Sequence, residues 1–209
     1  SNTFEDLDGD ELTFSSTSNN TDLVTVSIDG TNLILDYQDN QKVITLNKFV
    51  EVDGQNMLDS ILEEFNIPSD FDFLSIDIDG NDYHIWNSIK KYQPKIVCIE
   101  YNPTIPNEVR FVQPLNFNIN QSSSLFSLVE LGKRKGYELV SAFWDNAIFV
   151  QSGYFDLFGI QDNSPACLRK SLDSITYLFS GFDGKIFLHG NKTLPWHGIE
   201  LHQSKLQVL

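Results

Sequence analysis

The sequence predicts a mixed α/β fold: a sheet with a parallel βαβ core and an edge antiparallel hairpin, preceded by a short all-β segment. Three observations predict it. Strand-like runs at 71–78 and 95–100 flank a helical pattern at about 82–92, and the residues between them suffice for a crossover that makes the two strands parallel. Two further strand-like runs, 137–143 and 147–150, are separated only by Trp144-Asp145-Asn146, a spacing that favours an antiparallel hairpin. Residues 10–37 alternate apolar and polar with no helical period.

Taken in order, Leu12 to Ser15 and Leu23 to Ile28 alternate with β-branched content, and Asp29-Gly30 followed by Leu33-Ile34-Leu35 reads as a hairpin. Val43 to Leu46 is a short strand. Met57, Leu58, Ile61, Leu62 and Phe65 share one face of a helix, with Asp59, Glu63 and Glu64 opposite, and Pro68 closes the unit. Phe71 to Ile78 is a strand ending at Asp79-Gly80. Ile85, Trp86, Ile89 and Tyr92 mark a helix stopped by Gln93-Pro94. Lys95 to Glu100 reads as a strand buried on both faces. A helix over about Ser123 to Lys135 carries Lys133, Arg134 and Lys135 in its last turn, and Gly136 caps it. After the hairpin at 137–150, Leu168 to Phe179 reads as a helix, and the His-, Pro- and Trp-containing tail has no clear pattern.

The chain has 209 residues, 29 acids against 14 bases, a net charge of −15, and 41% apolar residues, so it is globular in composition. The acidic balance argues against nucleic acid as a partner. No apolar run is long enough to span a bilayer, and no signal peptide is legible. Cys98 and Cys167 make neither a disulfide framework nor a zinc site. Residues 1–41 hold nine acids and no Lys or Arg, whereas both signs occur from Lys42 onward. Charge and texture therefore divide the chain into a β segment, 1–41, and an α/β part, 42–209. A first residue that is Ser, not Met, marks the chain as a candidate fragment.

Parallel strands at 71–78 and 95–100 end on one edge of their sheet. Open α/β sheets bind ligands beyond the carboxyl ends of their strands. That edge would carry Asp77, Asp79, Asn81 and Asp82 from one strand end and Glu100, Tyr101 and Asn102 from the other. Asn81 or Asp82 also suits a helix N-cap in a tight turn. Capping leaves Asp77, an acid inside an apolar strand, and Glu100 unexplained, and a buried carboxylate needs a hydrogen bond, a counter-charge or a cation. His84 reads as an exposed first-turn residue, Trp86 as core, and Cys98 as a small buried hydrophobe.

The stretch Phe71-Asp72-Phe73-Leu74-Ser75-Ile76-Asp77-Ile78-Asp79-Gly80-Asn81-Asp82-Tyr83-His84-Ile85-Trp86, with Lys95-Ile96-Val97-Cys98-Ile99-Glu100-Tyr101-Asn102, resembles FkbM-type methyltransferases. The likeness runs from about Val43 to at least Val150. The hairpin at 137–150 is similar to the antiparallel pair that ends the class I methyltransferase sheet. The resemblance implies a partial class I, Rossmann-like sheet in which 71–80 is the fourth strand and 95–102 the fifth. It also implies S-adenosylmethionine as cofactor and hydroxyl oxygen as acceptor, in a sugar or another small metabolite. On this reading Asp79, Asp82 and Glu100 are the catalytic candidates, with Asp79 or Asp82 taking the acceptor's proton. Asn81, Tyr101 and Asn102 line the substrate wall, Asp77 faces the cofactor, and a divalent cation could bridge Asp77, Asp79 or Glu100. The family's Gly-rich loop and ribose acid should lie earlier in the chain. No Gly-x-Gly occurs anywhere, and Asp36 is the one imitation of the ribose acid. The resemblance therefore implies a cytoplasmic O-methyltransferase, or its catalytically impaired carboxyl-terminal part.

Residues 3–37 resemble part of a bacterial cadherin-like repeat, through Phe4 to Phe14, Leu23 to Ile28, Gly30 and Leu33 to Leu35. Asp6, Asp8 and Asp10 offer oxygen ligands suited to Ca²⁺. A solvated acidic turn is the equal alternative. The second functional reading is thus a noncatalytic, exported Ca²⁺-binding adhesion fragment.

Overall fold

The computed structural model describes residues 24–29, 32–37, 42–194 and 199–207. Three strands form first along the chain: β1 (Val24–Asp29), β2 (Asn32–Tyr37) and β3 (Lys42–Asn47). They pair in turn, antiparallel, with Asp29 opposite Asn32 and Tyr37 opposite Lys42. Helix α1 (Leu58–Glu64) follows, burying Leu58, Ile61 and Leu62 as its apolar spacing requires. Then come β4 (Phe73–Asp77), α2 (Asp82–Ser88) and β5 (Ile96–Glu100). This is the βαβ unit read from the sequence, and β4 and β5 are parallel. Helix α3 (Leu125–Lys135) starts at Ser124, whose hydroxyl accepts from Ser127 N, and ends at Gly136 in the left-handed region (φ 82°). Strands β6 (Tyr137–Phe143) and β7 (Asn146–Gln151) form the expected hairpin, and β7 pairs antiparallel with β5.

The result is one seven-stranded sheet in the order β3-β2-β1-β4-β5-β7-β6. Strand β1 runs parallel to β4, with Asp29 opposite Asp77. The change of composition at residues 41–42 therefore falls inside a sheet, between β2 and β3, which pair over six positions. Among the described residues three strands precede β4, so the first-half positions that the sequence reading left empty are filled, though by hairpins.

Val26 and Ile28 of β1, Leu33 of β2, Leu74 and Ile76 of β4, and Val97 and Ile99 of β5 enter one apolar core with α1, α2 and α3. Trp86 of α2 packs edge-on to Tyr137 (5.7 Å) and tilted against Phe149 (5.0 Å). Gly132 lets α3 approach those rings: a Cβ there would lie 3.1 Å from Phe149 and 3.2 Å from Trp86. Asp59 of α1 accepts from the backbone N–H groups of Lys90 and Lys91 (2.8 and 3.0 Å), fastening α1 to the end of α2.

The expected helix over 168–179 is not formed. A short helix, α4 (Pro165–Leu168), starts at the Ser164 cap with Pro165 in its first turn, and the chain then enters β8 (Thr176–Ser180). Strand β8 pairs with β9 (Ile186–Gly190), because β-branched and aromatic residues around Gly181 and Gly184 suit a hairpin better than a helix. A small pair, β10 (Thr193–Leu194) and β11 (Ile199–Glu200), follows. Among the described residues no helix is long and apolar enough to cross a membrane.

Candidate functional site: an acidic rim at the parallel strand ends

Strands β4 and β5 both deliver acids to the same rim. Beyond Asp77 the chain turns through Asp79, held in the left-handed region (φ 56°), and Gly80 (φ 141°) into α2. The turn is built around the Asp82 carboxyl, whose two oxygens accept from Ile78 N (3.0 Å) and Gly80 N (2.9 Å). Glu100, at the end of β5, accepts from the Ser122 hydroxyl (2.7 Å). Oxygens of Asp77, Asp82 and Glu100 all lie within 4.8 Å of one another, close enough that one divalent cation could be held between them.

The electrostatics follow from burial and crowding. Asp82 is fully buried, and desolvation, assisted by the charge of Asp77 and opposed by the two amide bonds, pushes its pKa up to about 7. Glu100 is pushed further, to about 9, by desolvation first and then by Asp82, with Asp77 and Asp79 adding to it; Ser122 works in the opposite direction. Glu100 therefore holds its proton at neutral pH, and Asp82 titrates near neutrality.

Residues 101–124, between β5 and α3, roof the turn. Asn81 donates to Asn116 O (3.1 Å) and accepts from Asn116 N (3.2 Å). The Gln113 carbonyl meets His84 Nε2 at 2.6 Å. The buried Gln113 side chain accepts from Gln121 N (2.8 Å) and Ser122 N (3.0 Å) and donates to Ile119 O (2.6 Å). Gly80 is needed where it is: a Cβ would sit 2.5 Å from Ile119 O, in addition to the unfavourable φ.

Of the seven expected rim residues, Asp77, Asp82 and Glu100 converge. Asp79 is exposed and lies within electrostatic reach of Glu100. Asn81 and Asn102 are buried and engaged with backbone: Asn102 donates to Gln121 O (2.6 Å) and accepts from Thr104 N (2.8 Å). Tyr101 is buried with Arg169 stacked over its ring (5.5 Å), among Arg169's bonds to Pro103 O, Ile105 O (2.8 Å) and the Asn107 side chain (3.1 Å). His84 is part-buried and bonded rather than exposed. Sequence reasoning missed Gln113, Ser122 and Arg169. Their partners are mostly loop carbonyls and amides, which leave no pattern in a sequence; the Ser122-Ser123-Ser124 run signalled only a helix start. Asp6, Asp8 and Asp10 lie outside the described residues.

A parallel core with this strand order, an antiparallel β7–β6 edge and acids at the strand ends define a Rossmann-like α/β domain of methyltransferase type. The chain belongs to the FkbM methyltransferase family: the model of the methyltransferase FkbM domain matches residues 5–139, a span that includes β1 to β5. No curated protein and no solved structure matches the chain.

Membership suggests S-adenosylmethionine as cofactor. A Rossmann-type cradle is a Gly-rich turn leading from the first strand into a helix whose N-terminus faces the ligand. Here β1 ends at Asp29, β2 begins at Asn32, and the two are antiparallel, so no crossover helix follows β1. Asp36, the expected ribose acid, pairs with Thr25 near the start of β1 and so stands at the opposite rim from Asp77. Among the described residues, those present do not fit the cofactor in that manner.

Proposed function

We propose that the chain is a FkbM-type O-methyltransferase domain, with the acidic rim receiving a hydroxyl-bearing small molecule such as a sugar. In this reading its cofactor affinity is impaired by the direct β1–β2 connection. The supporting observation is the convergence of Asp77, Asp82 and Glu100 at the carboxyl ends of adjacent parallel strands, where α/β sheets bind ligands. Asp79, the exposed acid of the rim, takes the acceptor's proton. Protonated Glu100 donates a hydrogen bond to the acceptor oxygen, which orients it. Asp82 holds the turn and sets the local field. Asn102 and Asn81 shape the wall through the roof they anchor, and a divalent cation on the three acids would replace the proton of Glu100. A cytoplasmic location goes with this reading.

The test is incubation with methyl-labelled S-adenosylmethionine and a pool of hydroxylated metabolites, alongside a melting scan with S-adenosylhomocysteine. Slow transfer of label to oxygen is expected, lost in Asp79→Asn while the melting temperature is kept. The scan should shift only at high ligand concentration. Tight binding of S-adenosylhomocysteine would refute the impairment. Label arriving on nitrogen or carbon would refute the hydroxyl acceptor.

A further inference from the structure

Strands β8 and β9 form a two-stranded sheet separate from the main one and beyond the family's matched span. Its two edges are treated differently. The outer edge of β9 is dressed by side-chain amides: Gln207 accepts from Ile186 N (3.0 Å) and donates to Ile186 O (2.9 Å), and Gln203 accepts from Leu188 N (3.1 Å). The outer edge of β8 has no partner among the described residues. Sheets normally guard such an edge with Lys, Pro, a bulge or an inward charge. Strand β8, Thr-Tyr-Leu-Phe-Ser, has none of these.

Its side chains are also uncovered. Tyr177, Leu178 and Phe179 are 43%, 61% and 54% exposed, and Phe182 at the hairpin tip is fully exposed. Phe179 stacks on Phe187 (5.4 Å), and Tyr177 lies against His189 (6.1 Å), so one face of the hairpin is an aromatic row. A lone hairpin is marginal in water and gains stability from added strands.

We propose that β8 pairs antiparallel with β8 of a second copy of this chain, so that the two hairpins become one continuous sheet about a two-fold axis. Three features select this partner. An antiparallel strand centred on Leu178 is self-complementary: Tyr177 of each copy falls opposite Phe179 of the other, an aromatic cross-strand pair. In a chain of net charge −15 the hairpin sequence 176–190 carries one acid and one base, Asp183 and Lys185, and they pair with each other at 3.0 Å. The exposed apolar side chains fall on both faces of the strand, Tyr177 and Phe179 on one and Leu178 on the other, so the joined sheet gains apolar cross-strand pairs on each face, Leu178 meeting Leu178 of the second copy.

Sedimentation equilibrium of the whole chain, from low micromolar upward, reads the association directly. A reversible monomer–dimer equilibrium is expected. Leu178→Lys, a change at an exposed position, should shift it at least tenfold toward monomer. Amides of Thr176, Leu178 and Ser180, which face away from β9, should gain hydrogen-exchange protection as concentration rises, a readout that needs no variant. A wild type that stays monomeric overturns the proposal, whether or not the hairpin then takes up vesicles or polysaccharide. So does a dimer that Leu178→Lys leaves intact with those amides unprotected.

Discussion

Replacing Glu100 by Gln should make the protein more stable at alkaline pH. The carboxyl titrates at 4.5 in its ordinary state and is pushed up to about 9 in the fold, by burial and by Asp82. Between those values the folded chain holds a proton that the unfolded chain has released. Stability is therefore greatest below 4.5 and falls as pH rises toward 9, by about 1.4 kcal/mol per pH unit for one such group. From pH 5 to pH 8 this amounts to ~4 kcal/mol at most, reduced where Asp82 shares the charge. Gln keeps the shape, and its carbonyl still accepts from the Ser122 hydroxyl, but it has no proton to lose. Urea unfolding at pH 5, 6, 7 and 8, with a chelator present, should show the variant close to wild type at pH 5. By pH 8 it should be about 2–4 kcal/mol more stable. The difference between the two proteins removes every carboxylate they share. Parallel stability curves, or a wild type favoured at pH 8, would refute a buried and crowded Glu100.

Three further outcomes follow from the packing. Gln113→Ala leaves Gln121 N, Ser122 N and Ile119 O without their partner, so a loss of about 2–4 kcal/mol is expected, with exchange at residues 121–122 accelerated. Gly132→Ala would gain about 1 kcal/mol in an open helix; against Phe149 and Trp86 it should instead lose ~1 kcal/mol and shift the Trp86 fluorescence, and a raised melting temperature would show that the rings yield. Asp59→Ala should cost about 1–3 kcal/mol by orphaning Lys90 N and Lys91 N, and Asp59→Asn, which keeps an acceptor, should recover most of it in the same urea assay.

Much of this architecture was legible because local signals agreed with tertiary ones. The 3.6-residue spacing of Leu58, Ile61 and Leu62 and the Gly136 stop each have one structural answer, and both are found. The short β6–β7 link did the same for the edge hairpin. The attachment of β1 to β4 was not legible: an antiparallel ribbon reads alike whether it stands apart or extends a sheet, and the pairing partner lies more than forty residues away. The tail misled because Leu168, Leu172 and Ile175 mimic helical spacing, whereas Ile175 to Phe179 is richer in strand formers. At the rim, the acids were visible as residue types at strand ends. Their roof was not, since Gln113 and Asn81 work through backbone groups of an irregular loop.

Because β7 is inserted between β5 and β6, the order of synthesis and the order of neighbours disagree. As the chain leaves the ribosome, β6 emerges beside β5 in time but has no strand to join until Gln151 is out. Until then Val97 and Ile99 lack one flank, and Tyr137 and Leu139 wait uncovered. A nascent chain paused anywhere in that interval presents an unfinished, adhesive margin, which is where chaperone capture during translation should concentrate.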